Sequence, residues 1–169
     1  MTKLRDERAE DTEAISAVLD AAFGGEEESR LVSALRAEGS LAISQVAELE
    51  GRVVAHIGFS PVRVVRASGE ARGLALAPMA VLPEHQGSGI GSSLVVSSLG
   101  VARELGVGWV VVLGHPEYYP RFGFERAAGF GLRCRWEVPQ EHYMALELEP
   151  GALVEVAGEV LYAAAFDAL

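Results

Sequence analysis

Gln86-Gly87-Ser88-Gly89-Ile90-Gly91 stands between an apolar run rich in strand formers and a long amphipathic segment. A helix start offers backbone N–H groups without intrahelical acceptors and a partial positive charge, and a phosphate satisfies both. Glycines at 87, 89 and 91 remove the β-carbons that would hold an anion off the backbone. Ser92 and Ser93 add hydroxyl donors. A P-loop would need Gly-Lys-Ser/Thr after four spacers, and no lysine lies nearby. A Rossmann fingerprint would need a third glycine where this chain has Ser92 or Leu94. The acidic ribose anchor about 20 residues further on is also missing, because Trp109 to Leu113 is wholly apolar. The loop therefore reads as an anion site of a different kind.

Residues that handle protons are more dispersed. Glu26, Glu27, Glu28, Glu84, His56, His115 and Glu117 are the candidate bases. Each reads first as a solvated face, a helix-cap charge or a satisfied hydrogen-bonding position, so no base is assigned. His56 lies inside the apolar run Val53 to Phe59 and reads as a core histidine. His85 and His142 have no partner at metal-ligand spacing, and no metal is expected.

The elements that position these residues follow from periodicity. Leu4 to Arg8 suits a short first strand. Asp11 is a good N-cap for a helix over Thr12 to Phe23, with Ile15, Val18, Leu19 and Ala22 on one face. Glu26 to Glu38 reads as a second helix, Leu31, Val32 and Leu35 inward, with acids crowding the first turn. Leu41 to Leu49 and Val53 to Val65 read as strands joined at Glu50-Gly51. Gly73 to Leu82 is the next strand, and Pro78 must bulge or splay it, since proline donates nothing to a ladder. A helix over Gly89 to Leu105 then leads to Trp109 to Leu113, a strand buried on both faces. Strand, loop, helix, strand makes a βαβ unit with two parallel neighbours. A short helix is expected over Pro116 to Arg121. Gly131 to Glu137, Tyr143 to Leu148 and Val160 to Ala163 complete the strands.

Gln86-x-x-Gly89-x-Gly91 directly after a strand resembles the acetyl-CoA signature of the GNAT superfamily of N-acetyltransferases. Leu76-Ala77-Pro78-Met79-Ala80-Val81-Leu82-Pro83 resembles that family's splayed fourth strand, and Tyr118-Tyr119-Pro120-Arg121-Phe122-Gly123-Phe124 its Tyr-x-Lys/Arg-x-Gly-Phe segment. The run Gly114 to Phe124 is similar to the YhbS-like branch. Where many relatives carry asparagine after the fifth strand, this chain has His115. The resemblance implies a mixed α/β fold: a central, mostly antiparallel sheet with a splayed parallel pair of fourth and fifth strands, flanked by helices. It implies acetyl-CoA as co-substrate, held by Met79, Ala80, Val81, Gln86, Gly87, Ser88, Gly89, Ile90, Gly91, Ser92 and Tyr119. Met79 and Val81 would pair with the pantetheine arm as an added strand does, and an N–H near Ala80 or Val81 would polarise the acetyl carbonyl. Tyr119, four positions before Gly123, matches the family's general acid. An unperturbed tyrosine of pKa about 10 stays protonated beside a leaving thiol of about 8.5. A non-catalytic acetyl-CoA-binding module is the alternative.

Bulk properties set the outer limits. One domain over residues 1–169 is expected. A net charge of −10 argues against nucleic acid and anionic membranes as partners and is compatible with an amine acceptor. Cys134, the only cysteine, excludes an internal disulfide and reads as an inert strand residue. The charged N-terminus and the lack of a long apolar run point to the cytoplasm. The acceptor is not legible; Phe23, Glu26 to Glu28, Trp136 and Tyr143 are candidate lining residues, and a homodimer is left open.

Overall fold

The computed structural model describes residues 1–169. Its elements are β1 (Thr2–Asp6), α1 (Thr12–Phe23), α2 (Glu27–Glu38), β2 (Ile43–Leu49), β3 (Arg52–Arg66), β4 (Gly69–Val81), α3 (Ile90–Glu104), β5 (Trp109–Leu113), β6 (Glu125–Arg126), β7 (Leu132–Arg133), β8 (Tyr143–Glu147), β9 (Gly158–Glu159) and β10 (Leu161–Tyr162). The main sheet runs β1-β2-β3-β4-β5-β8-β6. β3 is long enough for two partners on one edge: β2 along its first half, β10 at Val62 and Arg63. Every pairing in this sheet is antiparallel except β4 with β5. The architecture is the expected mixed sheet with one parallel pair.

That pair is short. Leu74, Ala75 and Leu76 face Val110, Val111 and Val112, and the ladder stops there. β4 then follows β3 as far as Val81, while Leu113 stays paired with β8. Opposite Pro78, between Ile57 and Phe59, the β3–β4 register shifts, as a proline in a ladder requires. The result is a V-shaped opening between two strands of one sheet. At the closed end, Gly73 lets β4 lie against Trp109; a Cβ there would sit 2.5–2.7 Å from the indole.

Side-chain alternation sorts the two faces of the sheet. Met79 and Val81 point toward α3, and both lie 3.4 Å from a Cβ built on Gly91. His56, paired in register one residue away from that row, points the opposite way. There it joins Ser44, Glu7 and Arg36 of α2. The core therefore has α3 on one side and α1 and α2 on the other.

Several local expectations shift. β1 covers Thr2–Asp6 and so ends two residues earlier than Arg8, whose N–H is taken by the Asp11 carboxylate (2.7 Å) and leaves the ladder. Asp11 does not cap α1 with its side chain; it is buried and paired with Arg5 at 2.7 Å. Only Leu132–Arg133 of the stretch to Glu137 is strand. Trp136 instead turns onto Tyr162 and Phe166. Cys134 consequently sits half-buried outside any strand, its thiol pushed up by burial.

Candidate active site

The V opens into a cleft of about 1020 Å³. That is at the upper end of the usual range for small-molecule sites, roughly 300–1,000 Å³. Eighteen of its 29 lining residues are hydrophobic, so polar groups there are specific and few.

One end is built by the strand-to-helix loop. Gly87 (φ 76°) and Gly89 (φ 87°) take the left-handed conformation, with nothing within 4 Å of either missing β-carbon. The loop is tied back at its start, where Gln86 Nε2 donates to Val81 O at 3.0 Å. Ser88 Oγ donates to His85 O. None of the six consecutive N–H groups from Gly87 to Ser92 donates to a backbone oxygen. The first amide of α3 to be satisfied is Ser93 N–H, on Gly89 O. Six unpaired donors at a helix N-terminus form a strong anion cradle.

β4 supplies the cleft wall. Leu82 N–H donates to Val54 O, so Ala80, two residues before it, also directs its N–H and C=O toward β3. Met79 and Val81 direct theirs into the opening. The Met79 and Val81 N–H groups are therefore free of β3 and face the cleft, whereas that of Ala80 is spent on the ladder. All eleven predicted site residues line the cleft except Ser88, whose hydroxyl serves the turn.

Tyr119 sits where β5 ends. Its ring is edge-on to Tyr118 (5.0 Å) and Phe124 (5.7 Å). Burial, reinforced by Tyr118, pushes its hydroxyl up to about 12, with no hydrogen bond contributing. Tyr118 is held differently. Its hydroxyl is 3.0 Å from Ser92 Oγ, and the Arg121 guanidinium lies 4.4 Å over its ring. Arg121 is the one arginine lining the cleft.

Among the candidate bases, Glu28 and His115 line the cleft, while Glu26, Glu27, Glu84, Glu117 and His56 do not. His115 is well exposed, 3.6 Å from Glu117. His56 is fully buried and held by burial down to about 4, as a core histidine should be. Ser44 Oγ donates to Glu7 (2.8 Å) and so accepts from His56 Nε2–H (2.9 Å). No group of three or more His, Cys, Asp or Glu is placed to hold a metal.

The far end of the cleft gathers Phe23, Glu28, Leu31, Trp136, Tyr162 and Phe166. Phe23, Glu28 and Trp136 are legible in the sequence as candidates. Tyr143 is not lining; it is buried and its hydroxyl contacts Tyr162 at 2.9 Å. Leu31, Tyr162 and Phe166 carry no signal in sequence, since each also fits a core position.

Residues 3–127 match the family model of the acetyltransferase (GNAT) domain. Over 154 residues the chain is 39% identical to the uncharacterized N-acetyltransferase YhbS of Escherichia coli, covering 90% of each protein. Over 124 residues it is 40% identical to E. coli YjhQ, an uncharacterized N-acetyltransferase, covering 72% of this chain and 68% of YjhQ. The crystal structure of E. coli YhbS with CoA superposes with a TM-score of 0.92 at 36% identity, covering 98% of this chain and 92% of that one. A Brucella melitensis GNAT acetyltransferase with acetyl-CoA gives 0.82 at 35% identity, covering 99% of both. The chain belongs to the GNAT acetyltransferase family. No helix is long and apolar enough to cross a membrane.

Proposed function

We propose that this chain, acting as one catalytic unit, transfers the acetyl group of acetyl-CoA to a primary amine, with Tyr119 as the general acid. The observation that carries this is the row of six unpaired amides from Gly87 to Ser92 at the mouth of the β4–β5 opening. A diphosphate satisfies these donors, while an extended pantetheine-like arm fits the opening as an added strand would. The CoA and acetyl-CoA complexes of the YhbS and Brucella proteins support the same occupant. The single cysteine, Cys134, suits a reducing cytoplasm.

The thioester supplies an activated acyl carbon. Val81 or Met79 N–H donates to the acyl oxygen as negative charge grows there. Tyr119 O–H faces the departing sulfur. A phenol near 12 beside a thiol of about 8.5 keeps its proton until the sulfur charge is well developed. Its contribution is therefore a hydrogen bond to the leaving thiolate; the proton the sulfur finally keeps is made good from solvent, which leaves Tyr119 protonated at the end of the cycle. The amine's proton leaves to solvent, and no side chain is assigned to take it.

Calorimetry with acetyl-CoA, ATP and NAD, followed by thiol release over an amine panel, tests the proposal. Acetyl-CoA should bind in the micromolar range or tighter and the others weakly. Equal binding of all three would sink it. Binding without thiol release from any amine would make the chain a non-catalytic acetyl-CoA module.

A further inference from the structure

The end of the cleft away from the diphosphate loop carries its own chemistry. On α2, Glu28, Leu31, Val32 and Leu35 fall at i, i+3, i+4 and i+7, a single inward stripe. The three aliphatic members are buried, and Glu28 heads the stripe half-buried. Glu27, exposed beside it, already complements the helix dipole. Glu28 is the one carboxylate-bearing side chain lining the cleft. The neighbouring arginines of α2 are engaged elsewhere, Arg30 with Glu26 at 3.7 Å and Arg36 with Glu7 at 2.7 Å. At the α1–α2 joint beside Glu28, buried Ser29 Oγ donates to Asp20 Oδ1 at 2.6 Å.

The same cleft is lined by a group of packed aromatic rings. Trp136 and Tyr162 meet edge-to-face at 4.8 Å, and Tyr162 and Phe166 at 5.0 Å. The Tyr162 ring is held by Tyr143 at its hydroxyl. Phe23, at the C-terminus of α1, closes the rim. The cleft is thus polarised: unpaired amides and Arg121 at one end, the Glu28 side-chain carboxylate and a set of aromatic rings at the other.

We propose that the acceptor is a small primary amine on an apolar, preferably aromatic, body, its ammonium on Glu28 and its body against Phe23, Leu31 and Trp136. The proposal rests on the transfer reading above and names the acceptor for it. Phosphorylated or carboxylate-bearing amines are repelled by Glu28, and polyamines leave a second charge stranded on aromatic walls.

Calorimetry on the full chain saturated with CoA separates the two claims, because it needs no turnover. Phenethylamine should bind at least 10-fold more tightly than ethanolamine, spermidine or phenylalanine. Glu28→Gln should weaken phenethylamine about 10-fold while leaving CoA affinity and Tm in place. Phe23→Ala, at a side chain 46% exposed and outside the core, should weaken phenethylamine and not ethanolamine. Equal affinities across the panel, a preference for spermidine or for a lysine peptide, or an indifferent Glu28→Gln would overturn the acceptor assignment with CoA binding intact. Failure of CoA itself to bind overturns the transfer reading and the acceptor assignment with it.

Discussion

Gly114 and Tyr119 occupy one another's space. A Cβ built on Gly114 would lie 3.0 Å from Tyr119 Cδ2 and closer still to Cε2. The tyrosine can lie across the end of β5 only because residue 114 has no side chain. Gly114→Ala must move the ring, and we expect about a 10-fold fall in kcat. A loss of roughly 1–3 kcal/mol in stability should accompany it, as for other overpacked sites. Steady-state kinetics beside urea unfolding would show both; an unmoved kcat would mean the ring's position is immaterial.

Removing the phenol is a cleaner change. Tyr119→Phe should lower kcat by roughly 10²-fold with the KM for acetyl-CoA within a factor of two or three. Since burial raises this hydroxyl to about 12, it stays protonated across the neutral and mildly alkaline range. The wild-type rate should therefore show no alkaline fall from this group up to about pH 10. A descending limb near pH 9 that vanishes in Tyr119→Phe would contradict the assignment.

At the loop, Gly89→Val brings two separable costs. Backbone strain at φ 87° should destabilise the chain by roughly 1–2 kcal/mol. The added methyls also stand in front of the amide row, so acetyl-CoA affinity should fall at least 10²-fold. Calorimetry on the folded variant, verified by circular dichroism, distinguishes them. Unchanged affinity would show that the amides do not hold the diphosphate.

His56 predicts an acid-sensitive core. Burial, the largest influence, lowers it from about 6.5 unfolded to about 4 folded. Between those values the unfolded chain binds the extra proton, so folding stability is full above about pH 6.5 and declines toward pH 4. The span corresponds to about 3 kcal/mol. Glu7 and Asp11, both lowered, add losses at still lower pH, Asp11 chiefly through its hydrogen bond from Arg5 and Glu7 through those from Arg36 and Ser44 against an opposing burial cost. His56→Leu should flatten the pH 6.5 to 4 slope in chemical unfolding. An equally steep slope in the variant would place the titration elsewhere.

The elements most legible in the sequence are those whose signal is continuous along the chain. α1, β3, α3 and β5 follow their hydrophobic periods closely, with no end moved by more than one residue. The C-terminal third is harder to read. Its strands are two to five residues long, and an alternating run such as Leu132 to Trp136 fits a strand in pattern alone. Trp136 gains more by packing on Tyr162 and Phe166 than by staying in a ladder.

By itself the sequence determined the anion cradle and the opening beside it. Gly87, Gly89 and Pro78 act through backbone geometry within a few bonds, and that is fixed by residue type and neighbours. The tertiary structure alone decided that Ala80 turns its amide to β3, leaving Met79 and Val81 free, and that Glu28 lines one cleft with Trp136, Tyr162 and Phe166. Glu28 and these three rings are far apart along the chain, and only the packing of α2 against the C-terminal segment brings them together. Whether such a side chain is core, surface or cleft depends on what covers it, which no local pattern records.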